Sequence, residues 1–129
     1  MFKNIFNFFK TKTNTYRINL GTVALTYSFT DESKAVITYE GTMPTRWHDN
    51  YYGVRTTKSI VKDTLRDINK GGFLRTATKD PNVFIDYPVS AIKHIKIEYA
   101  DKFDTFTLPD RCTFSDNSNI LLIKSEYDV

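Results

Sequence analysis

The sequence predicts an α+β fold, in which a curved antiparallel sheet or a small, partly closed barrel of meander hairpins carries one main inserted helix at about residues 57–70. Short runs of alternating apolar and polar residues are typical of strands with one buried face. Turn residues separate these runs at intervals found in small barrels and sandwiches, and one longer run has helical period instead. The length of 129 residues is that of one ordinary domain, so we expect residues 1–129 to form a single domain.

The first hairpin is predicted from two alternating runs. Residues 23–29 and 35–40 alternate apolar with polar side chains, and the polar sequence DESK at 31–34 separates them. This pattern indicates two antiparallel strands with one face buried. Gly41 ends the second strand.

The segment TTKSIVKDTLRDINKGG predicts the main helix. Val61, Leu65 and Ile68 form an apolar stripe at helical spacing. Thr56 or Thr57 is placed to cap the first amides. The two glycines that close the segment predict a left-handed cap at the end of the helix.

The C-terminal half predicts a meander of short strands. Turn sequences such as KDPN, ADK, LPD and DNSN divide it. The predicted strands are residues 73–78, 82–87, 95–99, 103–108, 111–115 and 120–124.

The N-terminal segment has a different pattern from the strands that follow. Residues 1–13 predict a short, semi-independent amphipathic helix. Its apolar stripe consists of Phe2, Ile5, Phe6 and Phe9. Such a stripe packs on its own domain, on a partner protein or on a second copy of the chain. Ten residues bury little area, so we do not expect docking to a membrane surface.

Composition sets the expected compartment and origin. A single cysteine allows no internal disulfide and favours a reducing cytoplasm. No run reaches the length of a membrane span. The abundance of Thr, Lys, Asn and Ile fits AT-rich coding DNA, as in many phages and low-GC bacteria. If the chain is phage-encoded, we expect it to act in the host cytoplasm. The net charge of +3 is concentrated near the N-terminus, which weakens an argument from charge to nucleic acid.

Motifs for catalysis, metal binding and cofactor binding are missing from the sequence. His48, His94 and Cys112 are the soft metal ligands, and none has motif spacing. Cys112 falls in a predicted strand, where a lone cysteine is usually a small buried hydrophobe. The double glycine follows the main helix, whereas a phosphate loop would open one. We therefore expect no metal, no cofactor and no enzyme activity.

The segment MPTRWHDNYYGVR, residues 43–55, predicts a long loop with neither strand alternation nor helical period. Long loops are often functional, and Trp, Tyr and Arg are enriched at binding hot spots. The candidate binding residues are Arg46, Trp47, His48, Tyr51, Tyr52 and Arg55. In the alternative interpretation, Trp47 folds back to close the barrel and the tyrosines cover the sheet.

Three functions agree with these observations. We expect a small non-enzymatic interaction protein, of the phage accessory type, that binds another protein, such as a component of a host system, or its own copies. The loop and the N-terminal stripe would form the contacts. The first alternative is a binder of single-stranded nucleic acid or nucleotides, which would use the same loop and a sheet face. The second is a small enzyme centred on His48.

Overall fold

The computed structural model describes residues 12–123, which form eleven strands and one α-helix. The helix, α1 (Thr57–Asn69), lies between the fifth and sixth strands, and a short 3-10 turn, Val89–Ala91, precedes the eighth. The strands are β1 (Thr13–Asn19), β2 (Thr22–Phe29), β3 (Lys34–Glu40), β4 (Thr42–His48), β5 (Tyr51–Arg55), β6 (Phe73–Ala77), β7 (Phe84–Pro88), β8 (Ile92–Ala100), β9 (Phe103–Pro109), β10 (Thr113–Phe114) and β11 (Ile120–Ile123).

Antiparallel sheet with a single helix is confirmed for the described residues, but closure into a barrel is wrong. The strands form four separate sheets, ordered β11-β1-β9, β10-β5-β4, β3-β2-β8 and β6-β7. The pairing is antiparallel except between β10 and β5, which are parallel. The prediction of a meander is therefore wrong at that point. The neighbours of β2 and β3 along the chain belong to other sheets: β1 precedes β2 and pairs with β9 and β11, while β4 follows β3 and pairs with β5.

The core lies on one face of β2. Val23, Leu25, Tyr27 and Phe29 are buried there, as their alternation in the sequence predicts. Helix α1 packs on the same face with Val61 and its partly buried neighbours Leu65 and Ile68. Burial of such side chains stabilises the fold by roughly 1.5–3 kcal/mol each.

Helix α1 has the predicted signals at both of its ends. Thr56 is the N-cap, and its side-chain oxygen accepts a hydrogen bond from the Ser59 amide at 3.4 Å. The Asp116 carboxylate accepts from the Thr56 amide at 3.2 Å, which adds a negative charge at the positive end of the helix dipole. After the helix, Gly71 and Gly72 adopt φ angles of 92° and 98°, which residues with a Cβ rarely adopt.

A corner of the chain joins the sheet of β2 to the sheet of β1. The antiparallel pair β2–β8 ends at this corner with Thr22 opposite Ala100. The antiparallel pair β1–β9 ends there with Asn19 opposite Phe103. The Asn19 side chain is buried, and its Oδ1 accepts from the amides of Gly21 and Lys102, each at 3.1 Å. One side chain therefore holds both chain segments at the corner.

The predicted N-terminal helix, with its stripe of Phe2, Ile5, Phe6 and Phe9, lies outside the described residues. Within residues 12–123, no helix is long and apolar enough to cross a membrane.

Tyr27 is the polar exception in the core. In the described structure its buried hydroxyl has no hydrogen-bond partner. Burial, and secondarily the charge of Tyr39, raises the pKa of Tyr27 from 10.0 to about 12. Because the unfolded chain ionises this group first, Tyr27 makes the free energy of unfolding fall as the pH rises from about 10 to about 12.

We expect Tyr27→Phe to raise the free energy of unfolding by about 1 kcal/mol at neutral pH, since an unsatisfied buried hydroxyl is removed. The variant should also lose less stability than the wild type at about pH 11. Urea unfolding at both pH values measures the two effects. A variant less stable than the wild type at neutral pH would show that the hydroxyl is hydrogen-bonded.

Candidate functional site

The segment predicted as a loop is a β-hairpin formed by β4 and β5, so the loop assignment is wrong. Nearly every residue of β4 is exposed. A strand without a buried face has no need of alternating apolar residues, which explains why the sequence shows no strand pattern. Pro44 is tolerated because β4 is the edge strand of its sheet.

Strand β5 is fixed to the rest of the fold both near the base of the hairpin, at Val54, and beside its turn, at Asn50 and Tyr52. Val54 is buried, and its amide lies 3.4 Å from Ser115 Oγ. The backbone oxygens of Asn50 and Tyr52 accept from the amides of Thr113 and Ser115, at 2.6 and 3.1 Å. These bonds hold β5 beside β10 and leave β4 at the open edge.

The tip of the hairpin carries an exposed aromatic cluster of Trp47, His48 and Tyr51. The Trp47 ring centroid lies 4.6 Å from that of His48 and 6.2 Å from that of Tyr51, and the His48 and Tyr51 centroids are also 6.2 Å apart. Trp47 remains 65% exposed and Tyr51 44% exposed. Closure of a barrel by Trp47 is therefore wrong.

A β-bulge places Trp47 in this cluster. Arg46 pairs with Tyr52 and His48 pairs with Tyr51, so Trp47 is the extra residue on its strand. Bulges bend a strand and redirect its side chains. The local geometry thus brings adjacent residues of β4, which would otherwise point to opposite faces, into one group.

The six predicted binding residues divide between the tip and the base. Arg46, Trp47, His48 and Tyr51 lie together at the exposed tip. Tyr52 is half-buried between β4 and β10. Arg55 lies at the base, 3.4 Å from Asp63 of α1. The structure therefore brings four of the six together.

The charges of the hairpin are balanced locally. Arg46 lies 3.4 Å from Asp49 in the turn, and the carboxylate of Asp63 contacts both Arg55 and Arg66. Such exposed pairs contribute little to stability, but they set the local charge close to neutral. The tip consequently presents mainly aromatic surface.

The groups that could support catalysis lie on three different segments of the chain. His48 is in the aromatic cluster on β4, and His94 is in β8 of another sheet, while Cys112 directly precedes β10, which belongs to the same sheet as β4. Burial raises the pKa of the Cys112 thiol, which lowers its thiolate fraction. Among residues 12–123, no three His, Cys, Asp or Glu side chains cluster in a way that could hold a metal ion.

Some exposed apolar residues were not identified from the sequence. Met43 is 63% exposed on the same strand as Trp47, and its position in MPTRWH is the signal that could have included it. Other exposed apolar side chains lie on β6, β7 and β11, namely Phe73, Phe84, Ile85, Leu121, Leu122 and Ile123.

Comparisons of this chain with protein-family models, with curated proteins and with solved structures gave no match.

Proposed function

We propose that this chain is a non-enzymatic interaction protein that binds a protein partner through the tip of the β4–β5 hairpin. The observation that carries the proposal is the aromatic cluster of Trp47, His48 and Tyr51 on an anchored hairpin, with Trp47 65% exposed. A large apolar ring usually buries most of its area. Its exposure beside two further rings is typical of recognition surfaces.

The anchoring of the hairpin supports the same function. The hydrogen bonds from β10 hold β5 beside the turn, and the buried Val54 holds it near the base, so the rings lie on a fixed support. Flat aromatic side chains lose little conformational entropy on binding. A rigid presentation reduces the cost of association further.

Local charge favours a protein over a nucleic acid as the partner. Arg46 and Arg55, the two cations of the hairpin, each have a carboxylate within 3.4 Å. Single-stranded nucleic acid is usually bound by stacked aromatics together with a cationic path for phosphates. The aromatic part of that arrangement is present, while the nearby cations are shared with Asp49 and Asp63. The composition supports the further proposal of a phage-type accessory factor acting in the host cytoplasm.

The test is capture of the partner by a photo-crosslinking residue at position 43, on the exposed strand beside the cluster, after nuclease treatment. We expect a discrete protein adduct with the otherwise wild-type chain. Trp47→Ala with Tyr51→Ala should reduce adduct formation at least tenfold, because each aromatic anchor carries more than about 1 kcal/mol of binding. The matched control is Phe73→Ala, since Phe73 is 72% exposed on a different hairpin.

Equal adduct formation by the double alanine variant and the wild type would contradict the proposal, provided both have the same melting temperature. Adducts that disappear with nuclease, and binding that falls steeply with salt, would replace the protein partner with a nucleic acid.

A further inference from the structure

Strand β3 has an open edge. Within residues 12–123 it pairs with β2 on one side only. A groove of about 710 Å³ lies between β3 and the β6–β7 hairpin. Ser33 to Thr38 line one wall of this groove, and Arg75, Thr76, Phe84 and Ile85 contribute to the other.

The hydrogen bonds at the two ends of β3 show which of its backbone groups face the open edge. The Phe29 amide donates to the Ser33 carbonyl at 2.9 Å, and the Gly41 amide donates to the Gly21 carbonyl at 3.0 Å. In an antiparallel pair the hydrogen-bonded residues alternate along the strand. Odd-numbered residues of β3 therefore bond to β2, while the amides and carbonyls of the even-numbered residues point to the open edge.

The even-numbered residues also carry a symmetric charge pattern. Strand β3 reads KAVITYE, so Lys34 and Glu40 lie three residues on either side of Ile37. Both are exposed, and neither has an ion-pair partner among the described residues. Val36, between them, is 63% exposed.

We propose that β3 pairs with β3 of a second copy of this chain, antiparallel and centred on Ile37. In this register Lys34 of each copy stands opposite Glu40 of the other, and Val36 stands opposite Thr38. The hydrogen-bonded pairs of this register, Lys34 with Glu40 and Val36 with Thr38, consist of even-numbered residues, whose amides and carbonyls face the open edge. Two β3-β2-β8 sheets then form one six-stranded sheet. This proposal is independent of the hairpin tip and of its partner.

The charge pattern favours this register over others. Charged residues at the edge of a sheet usually prevent pairing with another chain, but two edges can pair when each charge stands opposite a charge of the other sign. Parallel pairing in register would place Lys34 beside Lys34 and Glu40 beside Glu40, which is unfavourable. The centred antiparallel register pairs opposite charges twice and uses all seven residues of the strand.

The β6–β7 hairpin approaches β3 from the side of the core. Tyr87 stacks on Phe29 with ring centroids 3.8 Å apart, and Leu74 packs against the same cluster. The hairpin thus packs on the face that carries α1, and no strand of residues 12–123 pairs with the outer edge of β3. The hairpin's exposed Phe84 and Ile85 are placed to contact the partner copy's strand across the groove.

The opposite edge of the sheet, β8, differs in its charges. Lys96 is 3.5 Å from Glu98, and Lys93 is 3.3 Å from Glu32. Because these charges already have partners within the chain, they offer a matched control for substitutions on β3.

Charge reversal tests the proposal by sedimentation over a range of concentrations. We expect the wild type to dimerise, and K34E or E40K alone to raise the dissociation constant at least about tenfold, because two attractive pairs become repulsive. An equimolar mixture of the K34E and E40K chains, and the double variant K34E/E40K, should dimerise as the wild type does. E98K on β8 should leave the dimer unchanged.

Three results would overturn this pairing. They are a wild type that stays monomeric at all concentrations, single reversals without effect, and a mixture of the two reversed chains that fails to associate. Loss of the dimer in E98K instead would assign association to the β8 edge.

Disulfide trapping tests the register directly. In a Cys112→Ser background, Val36→Cys and Thr38→Cys chains should crosslink when mixed, because hydrogen-bonded antiparallel pairs have Cα atoms about 5.5 Å apart, within disulfide range. Either chain alone should crosslink much less. Crosslinking that is equal in all three samples would contradict the centred register.

Discussion

Gly21→Ala is expected to lower the free energy of unfolding by about 3 kcal/mol or more, which is enough to unfold a marginal domain. Gly21 is buried at the corner between β1 and β2. An added Cβ would overlap the carbonyl oxygen of Ala100 and would lie 2.8 Å from the amide nitrogen of Lys102. Both are backbone atoms, so the clash is relieved only if the whole corner moves.

Gly53→Ala is the matched control for this substitution. Gly53 lies in β5, and the nearest atom to an added Cβ there is the Thr45 carbonyl oxygen at 3.8 Å, an ordinary contact. We expect a change within about 0.5 kcal/mol. Urea unfolding followed by far-UV circular dichroism measures both variants. Equal stabilities would show that the corner accommodates a side chain.

Asn19→Ala is expected to cost about 3 kcal/mol, because it removes the acceptor shared by the amides of Gly21 and Lys102. Each unsatisfied buried donor costs roughly 1–3 kcal/mol. The side chain also donates from Nδ2 to Asp101 Oδ1 at 3.0 Å. The same unfolding experiment measures the loss.

Exchange of the two polar residues separates hydrogen bonding from packing. Asn19→Asp keeps an acceptor for both amides but sets two carboxylates against each other, so we expect a partial loss of stability. Adding Asp101→Asn restores a donor on the opposite side and should recover most of that loss. An exchanged pair as unstable as Asn19→Ala would contradict the assigned role of the Asn19 side chain.

Local signals in the sequence were sufficient for the helix and for the first hairpin. Helix α1 has its cap, its apolar stripe and its terminal glycines within one short segment. Strands β2 and β3 alternate because one face of each packs against a core. Where burial imposes a period, the sequence reveals the element.

Local sequence patterns predicted neither the non-local strand pairing nor the strands that have no buried face. Strand β4 has no buried face and therefore no period. The parallel pairing of β10 with β5 joins residues more than sixty positions apart, and no local pattern encodes it. The chain passes from the sheet of β1 to the sheet of β2 at the corner of Asn19 and Gly21, which no pattern in the sequence predicted.

The candidate site shows the same division between residue type and geometry. Residue type predicted Trp47, His48 and Tyr51 as candidate binding residues, and the structure places their rings in one cluster. Residue type also selected Tyr52, which is half-buried opposite Arg46, and Arg55, which lies at the base of the hairpin beside Asp63. The bulge that brings Trp47 into the cluster depends on the register between β4 and β5, and composition carries no information on that register.

The position of Trp47 has a consequence for spectroscopy. It is the chain's single tryptophan, and its ring is already largely hydrated in the folded state because it is 65% exposed. Intrinsic tryptophan emission should therefore shift little when the core melts. A blue shift or quenching at constant circular dichroism would instead report occupation of the hairpin tip, so this native fluorophore reads binding separately from folding.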